Sequence, residues 1–311
     1  MSINARAKVI LAKKETTYGT DATPAAATDA IMTRNFQSFP IEVDTLERNL
    51  DLPTVGGSPV ANTGKRQRVT FEVEIAGSGT PTTPAPWAVL LQGCGMGVPT
   101  PDTSDVSQAM GSAPWASLSL YHFYENQRRR MLGARGTFGA NFTAGAYPYW
   151  TFEFTGLLPS SNPFDTQSPG TPDWSAFKEP VEVNTDNTTF TLDGYAAVMR
   201  SLEFSAGVSI TPRRLVGAEY INRGNHVITG TIVMEAPLVA TKNYFSTLVA
   251  GSQVALALTH GTQAGNIVEL QMPHVQITSI ADSEEDDVLM YTVGFRANVS
   301  AGNDDILIIT S

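Results

Sequence analysis

The chain has 311 residues, with 20 Lys and Arg against 30 Asp and Glu, a net charge of -10 and a charged fraction of only 16%. That acidic balance disfavours tight binding to phosphate backbones or anionic membrane surfaces, and the single cysteine, Cys94, excludes an internal disulfide framework and a zinc site built on cysteine pairs. The length suits two domains at about 100–200 residues each, and few charges with abundant Gly, Pro, Ser, Thr and Ala predict strands and turns, a mainly β fold.

The N-terminus holds one short apolar run, Val9 to Ala12, with no cleavage-like ending, and no apolar stretch approaches the roughly 18 residues a membrane helix needs. An unexported, soluble product of a reducing cytosol is expected. Residues 1–29 predict an extended arm, Thr, Ala and Gly dominating after Glu15. A strand ending near Glu42 leads into an irregular loop, Thr45 to Lys65. The strand Val69 to Ile75 then alternates Val69, Phe71, Val73 and Ile75 with Thr70, Glu72 and Glu74. A helix is predicted from Pro86 to Cys94, with Trp87, Leu90, Leu91 and Cys94 as its apolar stripe. Strands follow at Leu118 to Phe123, Gly136 to Phe142 and Tyr149 to Gly156.

Five prolines between Pro159 and Asn187 predict a linker over 159–190. Beyond it, Leu202 to Ile210 predicts a strand, Thr211 to Asn225 a loop, and Val227 to Glu235 a strand. A helix is predicted from an N-cap at Thr241 to a stop at Gly251. Strands at Ala255 to His260, Asn266 to Ile277 and Val288 to Ala297 precede a tail, Ala301 to Ser311. The element order of the first half thus recurs in the second, with Leu118-Ser-Leu-Tyr-His122 beside Leu256-Ala-Leu-Thr-His260. Two tandem β domains, 30–158 and 191–311, each with one flanking helix, are expected.

Candidate chemistry is thin. Cys94 as a nucleophile needs a base such as His122 or His260, but it lies on an apolar helix stripe, and both histidines are expected at polar strand ends. The four histidines lack metal-ligand spacing. Gly93-Cys-Gly-Met-Gly97 follows a helix instead of opening one, so it is a helix stop and not a phosphate loop. Ser283-Glu-Glu-Asp-Asp287 lacks calcium-loop spacing and predicts a solvated hairpin tip. Arg128 to Arg130 predicts another tip, one that pairs with acidic residues of a neighbouring subunit. The sequons at Asn141, Asn187 and Asn298 are chance occurrences in an unexported chain. No catalytic residue, cofactor or metal is expected.

Several strings carry a resemblance. Leu11-Ala-Lys-Lys-Glu-Thr-Thr-Tyr-Gly-Thr-Asp21 is similar to the opening of major tail tube proteins of long-tailed, non-contractile phages and prophages. So are Phe71 to Gly79 with Ala85-Pro-Trp87, Gly133-Ala-Arg-Gly-Thr137, Phe152 to Leu157, Glu235-Ala-Pro237, Ala240-Thr-Lys242 and Leu258-Thr-His-Gly-Thr262. The resemblance implies tail-tube-type β-sandwich domains, each with a flanking helix, whose sheets join between subunits into a β-barrel. Rings of such subunits stack into a tube that delivers genome DNA. Most members carry one domain and form hexamers; two domains imply a homotrimer with pseudo-sixfold symmetry. Also implied are a virion protein made in the bacterial cytoplasm and, as partners, further copies, tape-measure, tail terminator and distal tail proteins, and double-stranded DNA in transit, with no membrane.

Twenty-four strands at roughly 4.8 Å spacing and a tilt near 45° give a wall radius of roughly 26 Å, wide enough for a duplex. A wall rich in Lys and Arg would hold that duplex back, so the polar strand faces are expected to line the lumen: Glu42, Asp44, Thr70, Glu72, Glu74, Glu203, Ser205, Ser209, Thr229, Thr231 and Glu235. The competing reading of these faces is an outer, solvated surface. Competing functions are a head-tail connector or tail terminator ring, and a two-domain carbohydrate- or receptor-binding module, for which Trp115, Trp150 and Trp174 are the available aromatics.

Overall fold

The computed structural model describes residues 3–48, 50–51, 53 and 56–311. The chain begins with β1 (Lys8–Lys14), the single-turn α1 (Ala26–Asp29), β2 (Ala30–Ile31), β3 (Arg34–Leu46), β4 (Ala61–Glu74) and α2 (Ala88–Gly93). It continues through β5 (Thr100–Pro101), β6 (Val106–Ala109), β7 (Leu118–Tyr124), β8 (Gln127–Thr143), β9 (Tyr149–Leu157) and β10 (Phe164–Thr166). Then come β11 (Thr188–Leu192), β12 (Tyr195–Ala196), β13 (Met199–Ser205), β14 (Ile210–Leu215), β15 (Ala218–Arg223), β16 (Thr229–Glu235) and α3 (Tyr244–Ala250). The last strands are β17 (Gln253–His260), β18 (Val268–Glu285), β19 (Val288–Ala297) and β20 (Leu307–Thr310).

One antiparallel sheet organises the molecule. Its order is β3-β4-β9-β8-β13-β16-β19-β18, so β8 and β13 join two four-stranded runs whose neighbours succeed one another in the same way. The long strands β8 and β18 each leave this sheet at one end and enter a second layer. There the first part of β8 pairs with β7, and β7 with β1, while the first part of β18 pairs with β17, and β17 with β11. Register shifts mark the bends, between Leu132 and Arg135 in β8 and between Ile277 and Ser279 in β18. Gly133, at φ 59, takes the left-handed conformation that the first bend needs.

Alternation explains the packing. Val69, Phe71 and Val73 of β4 and Ile75 just beyond it are all buried, as are Trp150, Phe152 and Phe154 of β9, because every second side chain points between the layers. Trp87, beside α2, meets Trp150 at 5.3 Å between ring centroids, and Trp150 meets Phe138 of β8 and Phe204 of β13 at 6.0 and 6.4 Å. The two runs therefore share a core: one connected cluster of buried apolar residues reaches from Ile10 to Ile308, and a smaller one gathers Leu11, Ala26, Ala30, Tyr121 and Phe123. α3 begins at Asn243, whose side chain accepts the Ser246 N–H at 3.0 Å, two residues later than the expected cap, and Gly251 ends it at φ 64.

Five expectations change. Part of the expected arm is core: β1 pairs with β7 over seven residues, and Ile10, Leu11 and Ala12 are buried. The expected loop Thr45 to Lys65 is partly hairpin, since β3 and β4 pair out to Leu46 and Ala61; Asn49, Leu52, Thr54 and Val55 lie outside the described residues. The expected loop Thr211 to Asn225 is mostly a second hairpin, β14 with β15, closed by Val216 and Gly217 at φ 90. Pro40 and Pro212 concealed these strands, yet each sits in a strand paired on one side only, where a missing N–H costs little. The expected tail contains β20, which pairs with β6 and β18 and buries Ile308. Within the segment expected as a linker, β10 pairs with β8 and Val183 is buried.

Candidate functional site

The outer face of the eight-stranded sheet is polar from edge to edge. Directly opposed residues in antiparallel strands point to the same side. The ladder registers therefore define a row across all eight strands: Arg34, Glu72, Thr151, Gly139, Ser205, Thr229, Arg296 and Gln276. A neighbouring row runs from Glu74 through Tyr149, Asn141, Glu203, Thr231 and Gly294 to Ser279. Thr70 stands opposite Gln37 and Glu153, while Glu42 and Asp44 lie at the far end of β3 and Glu235 at the end of β16. Ten of the expected lumen residues thus share this face. Ser209 does not: it follows β13 at the base of the β14–β15 hairpin, where its N–H donates to the Asn225 carbonyl.

The face is less acidic than strand alternation alone implies. Arg34 donates to Glu72 at 2.6 Å; Arg66 donates to Glu42 at 3.2 Å and Asp44 at 2.9 Å; Arg68 donates to Glu42 at 3.0 Å. Hydrogen bonding to Asp44 raises the Arg66 pKa further, keeping the guanidinium charged. Among the described residues Glu74, Glu203 and Glu235 have no ion-pair partner, so they carry the free negative charge. Arg34, Arg66, Arg68, Glu153 and Arg296 were missed in the sequence. Arg66 and Arg68 have the same parity as Thr70 and Glu72, the signal that extending the alternation backward would have supplied.

The residues singled out for chemistry serve packing. Cys94 is fully buried, and desolvation pushes its thiol well above the ordinary value. Native protein is expected to resist a thiol reagent until unfolded, and Cys94→Ala to cost only about 1 kcal/mol in a denaturant titration; rapid modification of the folded chain would refute a purely structural cysteine.

His122, within β7, and His260, the last residue of β17, are both buried instead of occupying a polar rim. His122 Nε2 lies 2.9 Å from Ser38 Oγ, and His260 Nδ1 lies 2.8 Å from Thr188 Oγ1. Burial lowers His122 from 6.5 to about 3 and lowers His260 as well. His122 therefore stays neutral in the fold, so below pH about 6.5 the unfolded chain takes up a proton that the folded chain refuses. Its contribution is intact above that pH and falls on acidification by roughly 1.4 kcal/mol per pH unit until the folded pKa is reached, and His260 acts in the same direction. Unfolding free energies measured at pH 7 and pH 5 should show the loss, and His122→Gln should flatten the slope; an unchanged slope would exclude His122 as its source.

Arg128 to Arg130 lie within β8 and not at its tip; Arg128 and Arg130 bond within the chain, to Asp165 at 2.9 Å through Arg128 Nε and to Asp21 at 3.1 Å, and so are already engaged, while Arg129 reaches Ser38 Oγ at 3.4 Å. Asp286 and Asp287 do form an exposed turn between β18 and β19. Of the aromatics a binding module would expose, Trp150 is buried, Trp115 lies 4.0 Å under the Arg223 guanidinium and Trp174 alone is open. Among the described residues no cluster of His, Cys, Asp and Glu could hold a metal, and no helix is long and apolar enough to cross a membrane. The family model described as phage tail tube protein matches residues 5–297. No curated protein matches the chain.

Proposed function

Because this chain belongs to the phage tail tube protein family, we propose that its outer polar face is the wall of the channel through which genome DNA passes. The observation that carries the reading is an eight-stranded antiparallel run, polar along one face and packed along the other, whose end strands β3 and β18 each present, among the described residues, a side without a strand partner. Open sheet edges invite pairing, and closing the sheets of several copies into one barrel removes them. Three chains of eight strands supply the 24 strands of a wall about 26 Å in radius, which leaves room for a duplex about 20 Å across after side chains fill roughly 5–8 Å.

In this reading each chain contributes two tandem tube domains to a homotrimeric ring with pseudo-sixfold symmetry. Rings stack into the tail of the virion after synthesis in the host cytoplasm. Tape-measure, tail terminator and distal tail proteins are the partners, and DNA is a transient passenger held by no specific contact. No residue is assigned a catalytic role. Electron microscopy of the purified protein tests the proposal. Extended tubes of threefold rings are expected; single rings that never stack would favour a connector or terminator, and dispersed monomers a binding module.

A further inference from the structure

We infer, building on the tube reading, that the β18 edge of one copy docks on the β3 edge of the next with Ile280 opposite Phe36, and that the acidic β18–β19 turn enters a basic groove beside that edge. The internal seam between β8 and β13 supplies the template. In that seam Ala140 stands opposite Phe204, and Gly139 packs so closely on the Phe204 carbonyl that a Cβ there would lie 2.5 Å from the oxygen.

The ladders fix the equivalent residues at the outer edges. Phe138 opposite Phe152 and Ala140 opposite Trp150 in the first run correspond to Ile277 opposite Phe295 and Ile280 opposite Val293 in the second. Across the adjoining strands, Phe71 opposite Phe152 corresponds to Gly230 opposite Phe295, and the aromatic beyond each is Phe36, 6.3 Å from Phe71, and Phe204, opposite Gly230. Phe36 thus takes the place of Phe204, and Ile280 that of Ala140. Among the described residues, those after Gln276 have no partner on the β17 side and β3 pairs only with β4, so both edges are open. The Phe36 carbonyl is met, among the same residues, only by Lys8 Nζ, at 3.1 Å.

Charge follows the same register. The strand leaving Ile280 and the turn after it carry Asp282, Glu284, Asp286 and Asp287, while Glu285 is held by Arg200 at 2.8 Å. Beside β3 an open groove is lined by Arg6, Lys8, Met32, Asn35, Phe36 and Trp174. Opposite charges at the two edges steer one copy onto the next, and two acidic or two basic edges repel, which sets the direction of ring closure.

The experiment uses the full chain carrying Gln37→Cys and Ser279→Cys, both exposed and placed opposite each other by this register, with buried Cys94 left in place. A short bismaleimide added to tubes should convert most chains to covalent dimers and trimers, while each single variant stays monomeric. Glu284→Lys, Asp286→Lys and Asp287→Lys together should raise the concentration needed for assembly about tenfold, less so at high salt. Well-formed tubes in which the cysteine pair gives no interchain product would overturn the docking register and leave the tube reading standing. Failure of the unsubstituted protein to form tubes at any concentration would overturn the tube reading itself, and this inference with it.

Discussion

Tails assembled from a chain carrying Glu74→Lys, Glu203→Lys and Glu235→Lys are expected to adsorb normally and release DNA at least tenfold more slowly, with the rate partly restored by added salt. Among the described residues, these are the three carboxylates of the polar face without a cationic partner. Glu72 would make a poorer probe, because a lysine there would face Arg34 across the 2.6 Å contact the glutamate now makes. Each substitution changes the charge by two, or about +6 per chain, repeated in every ring. At a Debye length of about 8 Å, wall charges near the duplex are only partly screened. Each phosphate contact adds a retention term that weakens with the logarithm of salt concentration. Microscopy must first show normal tubes; dye-monitored ejection at several salt concentrations then reads the effect. Normal kinetics from such tubes would mean that this face looks outward.

A larger effect on stability is expected from Glu15→Ala, about 3–5 kcal/mol, enough to leave much of the chain unfolded. Glu15 is only 6% exposed, and its carboxylate accepts four hydrogen bonds: from Gly19 N–H and Ser117 Oγ at one oxygen, and from Ser119 Oγ and Gly133 N–H at the other. Removing it strands those donors in the interior, where an unmade hydrogen bond costs more than a made one contributes. Glu15→Gln should recover part of the loss, since one oxygen remains to accept. Thermal melts of the unassembled protein would measure both; an alanine variant within about 1 kcal/mol of the parent would show that the N-terminal segment is not anchored there.

Glu15 also shows where sequence reasoning stopped. The strand Val69 to Ile75 was legible because its side chains alternate between core and solvent, a period visible in one segment. The segment around Glu15 has no such period, and its role depends on Ser117, Ser119 and Gly133, about a hundred residues away. The same distance hid the ion pairs of Arg66 and Arg68, whose partner Glu42 is found only through the β3–β4 register. Ser209 misled for the opposite reason: it continues the alternation of Leu202 to Phe204, but the chain bends at Ala206 and Gly207, at φ 56, and leaves the sheet. Local period reports which residues face together within a strand; bends, registers and distant acceptors decide which faces join.

The seam between β8 and β13 has a consequence for how copies find one another. Its two strands are tethered, so their encounter is governed by an effective concentration that dilution cannot lower, whereas every seam between chains obeys mass action. In a ring of three such chains, half the seams exist before any collision, and closure requires three bodies to meet instead of six. The critical concentration for growth then reflects the outer edges alone, and the inner seam should persist in subunits too dilute to form a single ring.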